Sequence, residues 1–150
     1  LAIYFLGGLT GSVASAALNL TGPMDFGVGA SGAVFALLGA QMLYFLRYRD
    51  VLGAYAQNAL RQYGFLLLIN LGFGLAVPNI DNTAHVGGLI GGAVLGYLLA
   101  PELYARPAID YLGNPLRVVQ VGEGRGGGAI TTAYGAGLVA LTVAAGVFLY

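Results

Sequence analysis

The chain has 150 residues, 58% of them hydrophobic and 8% charged, with no net charge. A soluble domain carries about a quarter charged residues, so this composition excludes an ordinary soluble domain, and the neutral balance offers no basic surface for nucleic acid. The sequence holds no Cys, no Lys and one His. Disulfides, thiol catalysis, a Ser–Lys dyad and a His-Glu-x-x-His zinc site are excluded with them.

In chain order, five apolar segments are predicted to span or nearly span ~30 Å of hydrocarbon. The first covers residues 1–18, "LAIYFLGGLTGSVASAAL". It starts without Met and without the basic flank of a signal peptide, so the sequence is expected to begin inside a larger protein. The turn-rich "NLTGPMDFGVGA" leads into the second segment, 31–46. The polar "RYRDVLGAYAQNALR" separates it from the third, 62–77, and "PNIDN" from the fourth, 83–100. Residues 101–128 are expected to be a cytoplasmic linker, and 129–150 an additional C-terminal transmembrane helix. The "GEGRGGG" in the linker lacks the Lys-Ser/Thr of a phosphate loop. The expected fold is therefore all-α, a polytopic transmembrane helix bundle.

The arginines predict its orientation. Arg47, Arg49 and Arg61 lie between segments two and three, and Arg106, Arg117 and Arg125 between four and five. The positive-inside bias puts both connections in the cytoplasm. Ser31 and His85, at the starts of segments two and four, then fall at one depth near the outer face.

Helices in lipid associate through small residues that let backbones approach. Segment four carries Gly88, Gly92 and Gly96 at four-residue spacing, with Gly87 and Gly91 beside them, and His85 shares the Gly88 face. Segment two carries Gly32, Ala36 and Ala40, and segment one Gly7, Gly11 and Ser15. Segments two and four are expected to pack closely, with Ser31 and His85 meeting at the outer end of their seam.

An ionisable residue in a membrane segment is a functional-site candidate. A Ser hydroxyl needs an adjacent base to become a nucleophile, and a neutral imidazole can take its proton and return it to a leaving amine. Asp81, four residues before His85, falls in a predicted loop, and with Asp25 it lies outside the mid-membrane region that an aspartyl dyad would occupy. "GASGA" also misses the soluble-hydrolase Gly-x-Ser-x-Gly elbow, because Ala33 takes its last position. Segment two has ~16 residues, or ~24 Å as a helix, so its N-terminus can start below the outer surface. Gly27 and Gly29 let the entering chain bend and let a substrate backbone approach. Free N–H groups and the positive dipole end then surround Ser31, as a tetrahedral oxyanion requires.

At these residues the sequence resembles the rhomboid intramembrane serine proteases. "GASGAVFALLGA" looks like the family's Gly-x-Ser-Gly helix. "NIDNTAHVGGLIGGAVLGYLL" looks like its Ala-His-x-x-Gly-x-x-x-Gly helix, matched by Ala84, His85, Gly88 and Gly92. The resemblance covers roughly residues 1–100 and implies core helices three to six, the first two core helices lying outside this sequence. It implies a catalytic dyad of Ser31 and His85, no metal and no cofactor. The Ser31 backbone N–H would contribute to an oxyanion hole, Gly29 would match the glycine before the nucleophile, and Phe35 the aromatic that packs on the imidazole. Nothing here matches the family's His-x-x-x-Asn motif, whose side chains complete the oxyanion hole. The implied partners are transmembrane protein substrates and the lipid bilayer, in a bacterial plasma membrane with the active site toward the outer face. The alternative is a non-catalytic rhomboid-like protein that binds transmembrane clients. Such relatives usually lack the Ser or the His, and both are present.

Overall fold

The computed structural model describes residues 1–18, 29–124 and 133. In chain order it contains α1 (Ala2–Leu18), α2 (Ser31–Arg47), the short α3 (Arg49–Leu52), α4 (Ala54–Ala76) and α5 (Asn82–Leu99), then strands β1 (Pro101–Ile109) and β2 (Pro115–Gly124). Four of the five predicted segments correspond to α1, α2, α4 and α5. The fifth, 129–150, lies outside the described residues apart from Ala133, as do Arg125, Asp25 and Gly27. Of the described helices, α4 alone is long and apolar enough to cross a membrane by length and composition. The count of five spans is therefore not carried by these helices taken singly.

The core is a seam of three helices, and α5 is its centre. A Cβ at Gly96 would stand 2.7 Å from the Ala40 Cα, and one at Gly88 or Gly92 would run into the carbonyl of Gly32 or Ala36 on α2. Gly87 and Gly91 meet Ala14 and Thr10 of α1 in the same way, while Gly7 and Gly11 of α1 reach back to Ala36 and Ala84. The backbones touch because side chains are missing at these places, and close contact between backbones is what holds helices together in lipid. The residues buried around the seam are accordingly small, Ala33, Ala36 and Ala40, with Phe35 and Leu95 as the larger fillers.

Two elements depart from the sequence reading. Helix α4 starts at Ala54 rather than at residue 62, so Arg61 lies within it and not in a loop. Residues 54–61 are polar enough to end an apolar window, yet Ala, Gln, Leu and Arg favour helix. At 23 residues, α4 reaches ~34 Å, so its polar first turns can extend past the hydrocarbon. The predicted linker is instead largely an antiparallel hairpin, with Tyr104 opposite Gln120 and Arg106 opposite Val118, so the described chain is not purely all-α. "LRVVQV" is rich in β-formers, and the intervening "DYLGN" is a turn. There Asp110 Oδ1 accepts from the N–H groups of Leu112 and Asn114 at 2.8 Å each, and Gly113 takes φ 86°. Hydrogen bonds from Asn114 hold the Asp110 carboxyl below its usual range.

One charged side chain ties the hairpin end of the bundle together. Arg47, closing α2, donates to the Tyr97 carbonyl at 3.3 Å, pairs with Glu102 at 3.6 Å and lies 4.7 Å over the Tyr97 ring.

Candidate active site

Helices α2 and α5 begin side by side at the end opposite Arg47. Ser31 is the first residue of α2 and is exposed. The residue before it, Ala30, gives no side-chain cap, so among the described residues no N-cap side chain occupies the first-turn N–H groups of α2. Helix α5 starts differently. Asp81 is its N-cap, accepting from the Ala84 N–H at 2.9 Å, and Ser15 of α1 donates to the other carboxylate oxygen. The Asp81 carboxylate is thus occupied in holding the start of α5 and joining it to α1.

The first turns of α2 and α5 are in backbone contact. A Cβ at Gly32 would stand 3.3 Å from the Ala84 carbonyl oxygen, and Gly88 closes on the Gly32 carbonyl. Ser31 and His85 are the sequence neighbours of these contact points, so the structure brings their turns together across the seam. His85 is 6% exposed and is the buried polar or charged side chain among the described residues. A lone imidazole in such a place needs partners, and it has two. The Phe35 ring stacks on it with centroids 4.3 Å apart and planes 3° from parallel. The ring's hydrogen bond runs to Asn82, not to Ser31: Nδ1 lies 3.2 Å from Asn82 Oδ1.

The described residues singled out from the sequence each have a defined place. Phe35 sits one turn after Ser31 on the face of α2 that meets α5, and its 5% exposure shows that the ring is inside the bundle. Gly88 and Gly92 lie in the seam. Gly29 is exposed, and a Cβ there would be 3.6 Å from Ser31 Oγ. That is ordinary contact, so packing among the described residues does not demand a glycine at position 29. Asn82 is the residue that sequence reasoning missed. Its only signal was its place three residues before His85, which puts both on one side of the first turn. Among the described residues no group of three or more His, Asp or Glu could hold a metal ion.

A family model described as the rhomboid domain matches residues 1–102. The chain is 45% identical over 93 residues to the rhomboid protease GluP of Bacillus subtilis (strain 168), covering 61% of this chain and 17% of that protein. It is 33% identical over 105 residues to rhomboid-like protease 5 of Toxoplasma gondii, covering 70% of this chain and 12% of that one. It is 41% identical over 104 residues to RHOMBOID-like protein 1 of Arabidopsis thaliana, covering 67% and 25%. The sequence therefore spans a quarter or less of the length of these relatives. No solved structure matches it. With more than half of its residues inside the family model, the chain belongs to the rhomboid family of integral membrane helix bundles.

Proposed function

We propose that the protein is an intramembrane serine protease that hydrolyses peptide bonds of transmembrane substrates, with Ser31 as nucleophile and His85 as general base and acid. The observation that carries this reading is the buried imidazole, stacked on Phe35 at 4.3 Å, in the turn that packs against the Ser31 turn. A histidine serving only to bond two helices would need no exposed hydroxyl across the seam and no uncapped helix start beside it.

The chemistry follows from these groups. Ser31 Oγ attacks the scissile carbonyl carbon while the imidazole takes its proton. The carbonyl oxygen becomes an oxyanion at the start of α2, where the Ser31 N–H and the positive dipole end stabilise it. The tetrahedral intermediate collapses, and the imidazolium gives the proton to the departing amine. Water then attacks the acyl-serine with the imidazole again as base, releasing the acid and restoring Ser31. Gly29 serves this sequence by its small size, leaving room for a substrate backbone beside the hydroxyl.

The bilayer placement belongs to the same proposal. Both Arg-bearing connections lie in the cytoplasm, the Ser31 and His85 turns lie toward the outer face, and the membrane is a bacterial plasma membrane. The test is a fluorophosphonate probe applied to the full-length protein in liposomes. Labelling mapped to Ser31, lost in Ser31→Ala and accompanied by loss of cleavage of a transmembrane substrate, is the expected result. Substrate binding without labelling or cleavage would instead identify a client-binding protein.

A further inference from the structure

Asn82 stands between α4 and the imidazole and touches both. Its Nδ2 donates to the Leu71 carbonyl of α4 at 3.3 Å, and its Oδ1 lies 3.2 Å from His85 Nδ1. A carbonyl oxygen only accepts hydrogen bonds. The Leu71 contact therefore decides which end of the Asn82 amide faces α4, and the amide oxygen is left facing the ring. That oxygen also only accepts, so Nδ1 must carry the proton. Nε2 is then the nitrogen with the free lone pair, the form a general base requires.

Helix α4 shapes the same spot sterically. A Cβ at Gly74 would come within 2.6 Å of Asn82 Cγ, so the absence of a side chain there makes the room in which the amide sits. Among the described residues α4 is otherwise held mainly near its start, where Tyr55 and Tyr63 pack on Phe45 of α2. Ala56 is its one buried residue among those described, and Leu68, Phe73 and Leu75 are 73%, 62% and 84% exposed.

We propose that Asn82 is a positioning residue that converts the seating of α4 into the tautomer of His85, an inference that rests on His85 acting as the base. With α4 in place, the Leu71 carbonyl holds the amide in the orientation that protonates Nδ1. When α4 moves away, the amide is free to turn over and present its NH2 to Nδ1. That arrangement favours the Nε2–H tautomer, which cannot accept the Ser31 proton. The base is thus competent only while α4 is seated.

The experiment uses the full-length protein in liposomes, with kcat and KM on a transmembrane substrate, the fluorophosphonate labelling rate of Ser31, and the thermal midpoint. Asn82→Leu keeps the size and removes both hydrogen bonds. It is expected to lower kcat and the labelling rate roughly 10- to 100-fold, the range known for losing the partner that orients a metal-bound imidazole, with KM and the midpoint nearly unchanged. Asn82→Asp keeps an acceptor toward Nδ1 and recovers most of that loss. Gly74→Ala, which pushes on Asn82 without touching Ser31 or His85, reproduces the fall in labelling rate. Full kcat in Asn82→Leu, an Asp variant no better than the Leu variant, or losses that merely follow the thermal midpoint would each overturn the proposal. Ser31→Ala is the separate control. If it still cleaves, the protease reading itself fails. If it is inactive while Asn82→Leu is fully active, only the role of Asn82 fails.

Discussion

A serine hydroxyl keeps its proton at neutral pH and an isolated buried imidazole has nothing to act on, so in the proposed mechanism Ser31 and His85 act only as a pair. Groups that act as a unit show non-additive losses. Ser31→Ala and His85→Ala are each expected to abolish cleavage, and the double variant to be no worse than either single one. Substantial residual turnover in His85→Ala, measured on a transmembrane substrate, contradicts the pairing. The Phe35 stack has a smaller, graded role. Aromatic pairs contribute about 0.5–1.5 kcal/mol beyond the area they bury, which corresponds to roughly two- to tenfold in rate if it is felt in the transition state. Phe35→Leu should lose about that much kcat while Phe35→Tyr retains most of it, and equal kcat in all three proteins would remove Phe35 from the site. The Phe35–His85 stack and the nearness of the Ser31 turn were legible because motif spacing and the i, i+4 relation place these residues directly. Asn82 was not, since an Asn at a helix start reads as an ordinary turn or cap residue. Its other partner is a backbone carbonyl on α4, which side-chain patterns do not reveal.

At the scale of elements, the glycines of α5 belong to two faces. Gly88, Gly92 and Gly96 admit α2, and Gly87 and Gly91 admit α1. The four-residue spacing made the first face readable in the sequence. The second was visible only as extra glycines, because one strip of small residues does not say how many neighbours it serves. Adding bulk to a closed seam typically costs about 1–3 kcal/mol. A methyl at Gly92 would meet the Ala36 backbone itself, which cannot step aside as a side chain can. Gly92→Ala should therefore lower the thermal midpoint clearly. Gly64→Ala on α4, where a Cβ meets nothing within 4 Å, should leave it unchanged or raise it by removing backbone freedom from a helix interior. Equal midpoints for the two variants would mean that the α2–α5 seam is not as tight as described. The hairpin escaped the all-α expectation for a related reason. Hydropathy sorts a membrane sequence into spans and remainder, and β1 and β2 fell in the remainder although the valine-rich "LRVVQV" and the turn at Gly113 were both written there.

Over the whole molecule, the arginines and the proposed catalytic pair separate to opposite ends. Arg47, Arg49 and the hairpin with Arg106 and Arg117 lie at or just past the ends of α2 and α5. Ser31, Asp81 and His85 lie at the starts of those same helices. An arginine side chain is retained on the cytoplasmic side during insertion, and that argument fixes the direction of every helix once it fixes one. The 150 residues contain no Cys, so a Cys introduced among them is a probe of side when read against the parent protein. Ile80→Cys, in the connection between α4 and α5, and Tyr111→Cys, in the hairpin turn, occupy positions 36% and 95% exposed. With a membrane-impermeant maleimide on intact cells, Cys at position 80 should react above the level of the parent protein. Cys at position 111 should react only after the membrane is opened. The site chemistry depends on this outcome, because water must reach the acyl-serine from the face on which α2 and α5 begin. Labelling of position 111 alone in intact cells would invert the molecule and place the Ser31–His85 pair toward the cytoplasm. Labelling of both positions would mean that the two connections do not lie on opposite sides, and the arginine argument for orientation would fall.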